Sequence, residues 1–284
     1  MDNEIYTIIW EKVRPETIEL LKTGQARVIN GVVRDVSDNF KIVQHMPFEK
    51  IDVSDISNLS SAVKSLQHAQ TIMLGMQVIS SMAIIGAIVV ATAYLSKKLD
   101  IIQEKIDMIK KELQDQNVVY YTEKISNFWG TTEATREIIC NQDVVLENED
   151  VVIIKLSELS TLRNQLFAFL NRLIFISDKF ELEHKTLTID FINMTIDLLP
   201  KAVFIESQAA YKIGRFHLGD NIRYSTKLKY YALIDNYKQW SNRQHQSIIK
   251  GDISSNTQAF ANKYDDIKTL MFSTENQYLL DYST

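Results

Sequence analysis

TIMLGMQVISSMAIIGAIVVATAYL, residues 71–95, contains no charged side chain, and the nearest formal charges are Lys64 before it and Lys97 after it. As a helix, the stretch from Met73 to Leu95 would extend about 34 Å at 1.5 Å per residue. That covers the hydrocarbon core of a bilayer, about 30 Å thick. Two readings fit such a run. One is a membrane span. The other is the buried centre of a soluble helical bundle, and the polar Gln77, Ser80 and Ser81 speak for it. The length favours the span. The run is too long, and starts too far into the chain, for the apolar region of a cleaved leader.

The residues that follow sharpen the reading. Leu95, Leu99, Ile102, Ile106, Ile109 and Leu113 recur in alternating steps of four and three, with Lys98, Glu104, Lys105, Asp107, Lys111 and Glu112 beside them. This is a heptad seam with charged flanks. No glycine or proline falls between Ala87 and Phe128, so span and coil read as one continuous helix. Carried backward in register, the seam passes through Thr92, Ile88, Ile85, Ser81, Val78 and Leu74. One face of the span thereby prolongs the coiled-coil seam, which predicts parallel self-association with these six residues lining the axis. Beside them, Ala83, Ala87 and Ala91 form a small-xxx-small ladder that lets helix backbones approach closely in lipid. Packing of the coil on other helices of its own chain is the competing reading.

Flanking charge sets the orientation. Lys97, Lys98, Lys105, Lys110 and Lys111 follow the span and only Lys64 closely precedes it. The positive-inside rule places the C-terminal side in the cytoplasm. The expected topology is therefore a membrane crossed once.

The 284 residues leave room for two modest domains around a span. Eight glycines and three prolines are few and favour helices with short connections. The single cysteine, Cys140, rules out an internal disulfide framework. The net charge of −5 argues against general attraction to nucleic acid or anionic lipid. The expected organisation is a small α+β unit over 1–70, the transmembrane helix over 71–95, the coiled coil over 96–116 and a helical domain over 117–284. The fold class is mainly α, with a small N-terminal hairpin unit, one long membrane-plus-coiled-coil helix and a C-terminal bundle of four or five helices.

In the N-terminal unit, Ile5 to Leu21 has helical periodicity interrupted at Pro15. ARVINGVVRDV, a turn at Ser37-Asp38-Asn39 and FKIVQHM then read as a hairpin, with β-branched residues on both sides of a polar turn. The string Gly31-Val32-Val33-Arg34-Asp35, a turn and Ile42-Val43-Gln44-His45 resembles a group of poorly characterised bacterial proteins in which a hairpin precedes one apolar helix and a short coiled coil. The likeness covers about residues 25–115. The whole layout is also similar to membrane effectors of bacterial antiphage systems, in particular the ion-channel effectors of Hailong systems, which a single-stranded DNA oligomer holds closed. That similarity is architectural. It implies a channel in a bacterial inner membrane and an oligonucleotide ligand, and transfers no residue role.

In the C-terminal part, Leu156, Leu159, Leu162, Leu166, Phe169, Leu170 and Leu173 fit one helix with a broad apolar face. Phe191 to Phe204 continues in that style, with a kink or break expected at Pro200. Two more helices are expected over Ile222–Ile249 and Thr257–Leu280, and a surface connection over 143–150. Between Tyr211 and Lys250 the cations Lys212, Arg215, Arg223, Lys227, Lys229, Lys238, Arg243 and Lys250 face only Asp220 and Asp235. Aromatic residues are interleaved with them. Cations for phosphates and rings for bases suit a short single-stranded oligonucleotide or a nucleotide regulator. Arg215, Arg223, Lys227, Lys229 and Arg243 are the phosphate candidates, and Tyr224, Tyr231 and Trp240 the stacking candidates. The competing reading makes these aromatics core and the cations a solvated surface.

No sequence motif points to catalysis, a cofactor or a metal. There is no glycine-rich phosphate loop, no pair among His45, His68, His184, His217 and His245 at ligand spacing on one helix, and no context that would activate Cys140. Two function classes remain. One is a homo-oligomeric membrane channel or pore-forming effector, a toxin or antiphage protein gated by its cytoplasmic helical domain. The other is a non-enzymatic coiled-coil scaffold or peripheral membrane protein that binds a partner protein.

Overall fold

The computed structural model describes residues 5–29, 32–51, 116–140, 149–179, 182–251 and 255–281. The span candidate 71–95, the seam from Leu95 to Leu113 and the axis residues Leu74 to Thr92 lie outside them, as do 143–148 of the acidic connection. Among the described residues no helix is long and apolar enough to cross a membrane. The chain divides into two compact units, Met1–Tyr94 and Leu95–Thr284. It is mainly helical, with a small antiparallel sheet region at the N-terminus and helices at the C-terminus.

In the first unit, β1 (Ile5–Ile8) pairs antiparallel with β5 (Phe48–Ile51). Helical periodicity does not hold over Ile5–Leu21. Strand β1 comes first, a single 3-10 turn covers Trp10–Lys12, and α1 (Pro15–Lys22) opens with Pro15 in its first turn. Proline is well tolerated there because that N–H has no intrahelical partner. Strands β2 (Ala26–Ile29), β3 (Val32–Asp35) and β4 (Ile42–His45) form a meander in that order. The expected hairpin is the β3–β4 pair, and its loop is organised by Asp35, whose carboxylate accepts from the Ser37 N–H at 2.7 Å and the Ser37 hydroxyl at 2.6 Å. These bonds hold the Asp35 carboxyl below its ordinary range. ARVINGVVRDV is two strands, not one. Trp10, Val13, Leu21, Ala26, Val33 and Met46 form the small core.

Among its described residues the second unit has four long helices, α2 (Gln116–Cys140), α3 (Glu149–Ile176), α4 (Leu182–Lys212) and α5 (Phe216–Ile249). Three short ones follow, α6 (Ser255–Ala261), α7 (Tyr264–Met271) and α8 (Thr274–Asp281). The expected leucine face of α3 is buried at Leu156, Leu159, Leu162, Leu166 and Leu170. Helix α4 runs through Pro200 without breaking, and the six other described helices of the unit pack on it. Every residue from Leu198 to Ala210 is buried, which is what a helix without a polar face requires.

Two charged residues inside α4 meet partners on other helices. Glu206 meets Arg163 of α3, both enclosed at 1% and 4% exposure. Burial holds the Glu206 carboxyl above its ordinary range, against the pull of Arg163. Lys201 donates to Asp197 at 2.7 Å and to Asn276 of α8 at 2.6 Å, which fastens the C-terminal helix to the core. Thr257–Leu280 is three helices where one was expected. Ser273 explains the last break, because its hydroxyl accepts from the Asn276 N–H at 3.2 Å and caps α8.

Candidate functional site

Helix α5 carries the ligand candidates, with Arg215 at its N-cap, and its start is fixed by local chemistry. Gly214 has a φ of +73°. Its N–H donates to the Tyr211 carbonyl at 3.0 Å, and the Arg215 N–H donates to the Ala210 carbonyl at 2.9 Å. This double reversal ends α4 on a left-handed glycine and turns the chain directly into α5. Gly219 lies against the Tyr211 ring so closely that an added methyl would overlap it.

The helical period then sorts the candidates. The buried face of α5 includes Ile222, Arg223, Tyr230, Leu233, Tyr237 and Trp240. Trp240 is wholly enclosed. Its ring stacks on Tyr237 with centroids 5.3 Å apart, meets Phe260 edge-on, and donates its indole N–H to Asp178 at 2.9 Å. It presents no free face to a base. Tyr224, by contrast, is 65% exposed. Tyr231 is half-buried, with the Lys227 ammonium 5.8 Å from its centroid.

The cations separate as well. Arg223 is buried beside Asp220, donating to it at 3.0 Å, and its guanidinium lies 5.8 Å from the Tyr211 centroid. Tyr211 donates to the same carboxylate at 2.7 Å, and burial together with that bond pushes its phenol up to about 12. Arg215 pairs with Glu149 at 3.1 Å, and Lys227 pairs with Asp281, which raises the lysine above its ordinary range. Lys229 donates to Asn164 at 2.6 Å. Arg243 is exposed four turns further along α5. Arg223, Tyr224, Lys227 and Tyr231 therefore share one stretch of helix, with two of the charges already matched. Lys229 leans toward α3, and Trp240 belongs to the core.

A further group of residues was not singled out by sequence. A cleft of about 430 Å³ lies between α5 and α7, lined by Lys238, Ser241, Asn242, Tyr264, Lys268 and Phe272 among others. Lys238 belongs to the sequence-level cation cluster. The α7 residues fall beyond it, and only the fold brings them opposite. Among the described residues no group of three His, Cys, Asp or Glu side chains could hold a metal ion.

Comparison with known proteins returns no matching family model, no matching curated protein and no matching solved structure. The functional reading rests on the chain's own residues.

Proposed function

We propose that the chain is a homo-oligomeric membrane channel, a pore-forming effector of bacterial defence whose C-terminal helical domain lies in the cytoplasm and gates it. The observation that carries this reading is the charge-free run 71–95 continuing in register into the seam from Leu95 to Leu113. In a parallel assembly Ser81, Ile85, Ile88 and Thr92 face the axis, and Ile85 with Ile88 make a hydrophobic constriction that gates by dewetting. The cations and exposed ring on α5, Tyr224 above all, support control by a short single-stranded oligonucleotide or nucleotide. Such a ligand acts only through different affinities for the closed and open states.

The full-length protein in liposomes with a trapped ion indicator tests the pore. Ile88→Asn wets the constriction and should raise leak severalfold, with matching toxicity in cells. Val89→Asn, on the lipid-facing side, should leave leak near the parent level. Equal effects of the two substitutions would contradict the seam assignment.

The scaffold reading has one observation in its favour. Phe216, Leu218, Tyr224 and Leu228 of α5 are exposed at 40–65%, a composition suited to a protein partner.

A further inference from the structure

We propose that the cleft between α5 and α7 binds a nucleoside phosphate, its phosphate held by Lys238 and Lys268 and its base laid against Phe272. The volume, about 430 Å³, falls within the range of about 300–1,000 Å³ typical of small-molecule sites. Lys201, Arg215, Lys227 and Lys263 each lie against a carboxylate. Lys238 and Lys268 have no carboxylate partner among the described residues, yet they stand on opposite walls of one cleft. Asp265 and Asp266 precede Lys268 on α7 but do not line the cleft, and Asp266 faces Lys263 at 4.0 Å. Two ammoniums without counter-charge suit a dianionic phosphate better than a single carboxylate.

The ring contacts narrow the ligand class. Phe272 is 64% exposed at the end of α7, and the Lys238 ammonium lies 5.6 Å from its centroid. That ammonium lies over the ring, so a phosphate on Lys238 places whatever it carries beside a largely exposed aromatic side chain. Tyr264 is held in the cleft wall by stacking on His245 at 5.4 Å and by the edge of Phe260 at 5.6 Å. Ser241 and Asn242 add a hydroxyl and an amide able to bond a base edge or sugar hydroxyls. Free phosphate would leave Phe272 uncovered, and an apolar ligand would leave two ammoniums unmatched. A phosphate bearing a planar ring satisfies both. The same chemistry is found in a free nucleotide and in the end of an oligonucleotide. Binding here does not depend on the channel reading, because a titration reads affinity and not conductance.

The test is calorimetric titration of the full-length protein in detergent with adenosine 5′-monophosphate, adenosine, inorganic phosphate and a 5′-phosphorylated thymidine trinucleotide. The monophosphate should bind at least tenfold more tightly than adenosine or phosphate alone. Lys238→Gln and Lys268→Gln should each weaken it about tenfold or more. Phe272→Ala should weaken it about five- to a hundredfold. Lys250→Gln, outside the cleft, should change nothing, and all variants should keep the parent circular-dichroism spectrum. Tighter binding of the trinucleotide would identify an oligonucleotide as the source, and tighter binding of the monophosphate a free nucleotide. Phosphate binding as tightly as the monophosphate, unchanged affinity in both lysine variants, or no saturable heat from either nucleotide would overturn the assignment.

Discussion

Arg163→Leu should cost the C-terminal domain about 3–5 kcal/mol at neutral pH, the usual cost of removing one partner of a buried ion pair. For a domain of this size that is a fall in melting temperature of about 10 °C. Arg163 and Glu206 are enclosed between α3 and α4, and Glu206 Oε1 has no hydrogen-bond partner among the described residues. The substitution therefore strands a carboxylate in the most buried helix of the unit. The pH dependence follows from the direction of the Glu206 shift. Burial already holds that carboxyl above its ordinary range, and Arg163 pulls it down. Without Arg163 it moves further up, so the folded variant retains a proton that the unfolded chain has released. Destabilisation should be largest at neutral and alkaline pH and should shrink as pH falls toward the ordinary carboxylate range. Arg163→Leu combined with Glu206→Leu should recover most of the loss, because no charge is then left unmatched. Thermal denaturation of the single and double variants at pH 5 and pH 8 checks all three statements. A single variant as stable as the parent would mean that this pair does not stand in the core.

In the proposed parallel assembly, lysine at both Ile102 and Ile106 should abolish the oligomer. Both positions lie in the middle of the seam, where an apolar knob must enter a hole formed by the facing helix. Two ammoniums per chain at the same level of a parallel assembly would repel one another and could not be solvated without opening the coil. The helical content of the C-terminal domain should not change, because the buried side chains described for it lie in α2 to α8 and the substituted residues precede Gln116. Chemical cross-linking in detergent, with circular dichroism on the same samples, separates assembly from folding. An unchanged oligomer size would place assembly in the N-terminal hairpin unit or the helical domain.

The features most legible in the sequence are those whose period is local. The β3–β4 hairpin and the leucine face of α3 follow from patterns complete within one element. Strand β1 was not legible as a strand, because its partner, Phe48–Ile51, lies some forty residues away and four residues are too few to separate period 2 from period 3.6. Asn30-Gly31, between β2 and β3, is a strong hairpin signal that identifies ARVINGVVRDV as two strands. Ser273 is likewise a readable cap within what looked like one C-terminal helix. At the candidate site, the spacing of Leu233, Tyr237 and Trp240 already marks one apolar face of α5, which is why Trp240 belongs to the core and Tyr224 does not. The α5–α7 cleft was out of reach. Its two walls come from helices joined through α6, and no periodicity in either one says which residues of the other it meets.

The central claim is that the protein is anchored in a membrane through residues 71–95. Extraction of cell membranes with alkaline carbonate and then with detergent tests it most directly. The account predicts that the full-length protein stays in the carbonate pellet and is released only by detergent. Release by carbonate, or recovery in the soluble fraction, would contradict the channel and leave the scaffold reading in its place.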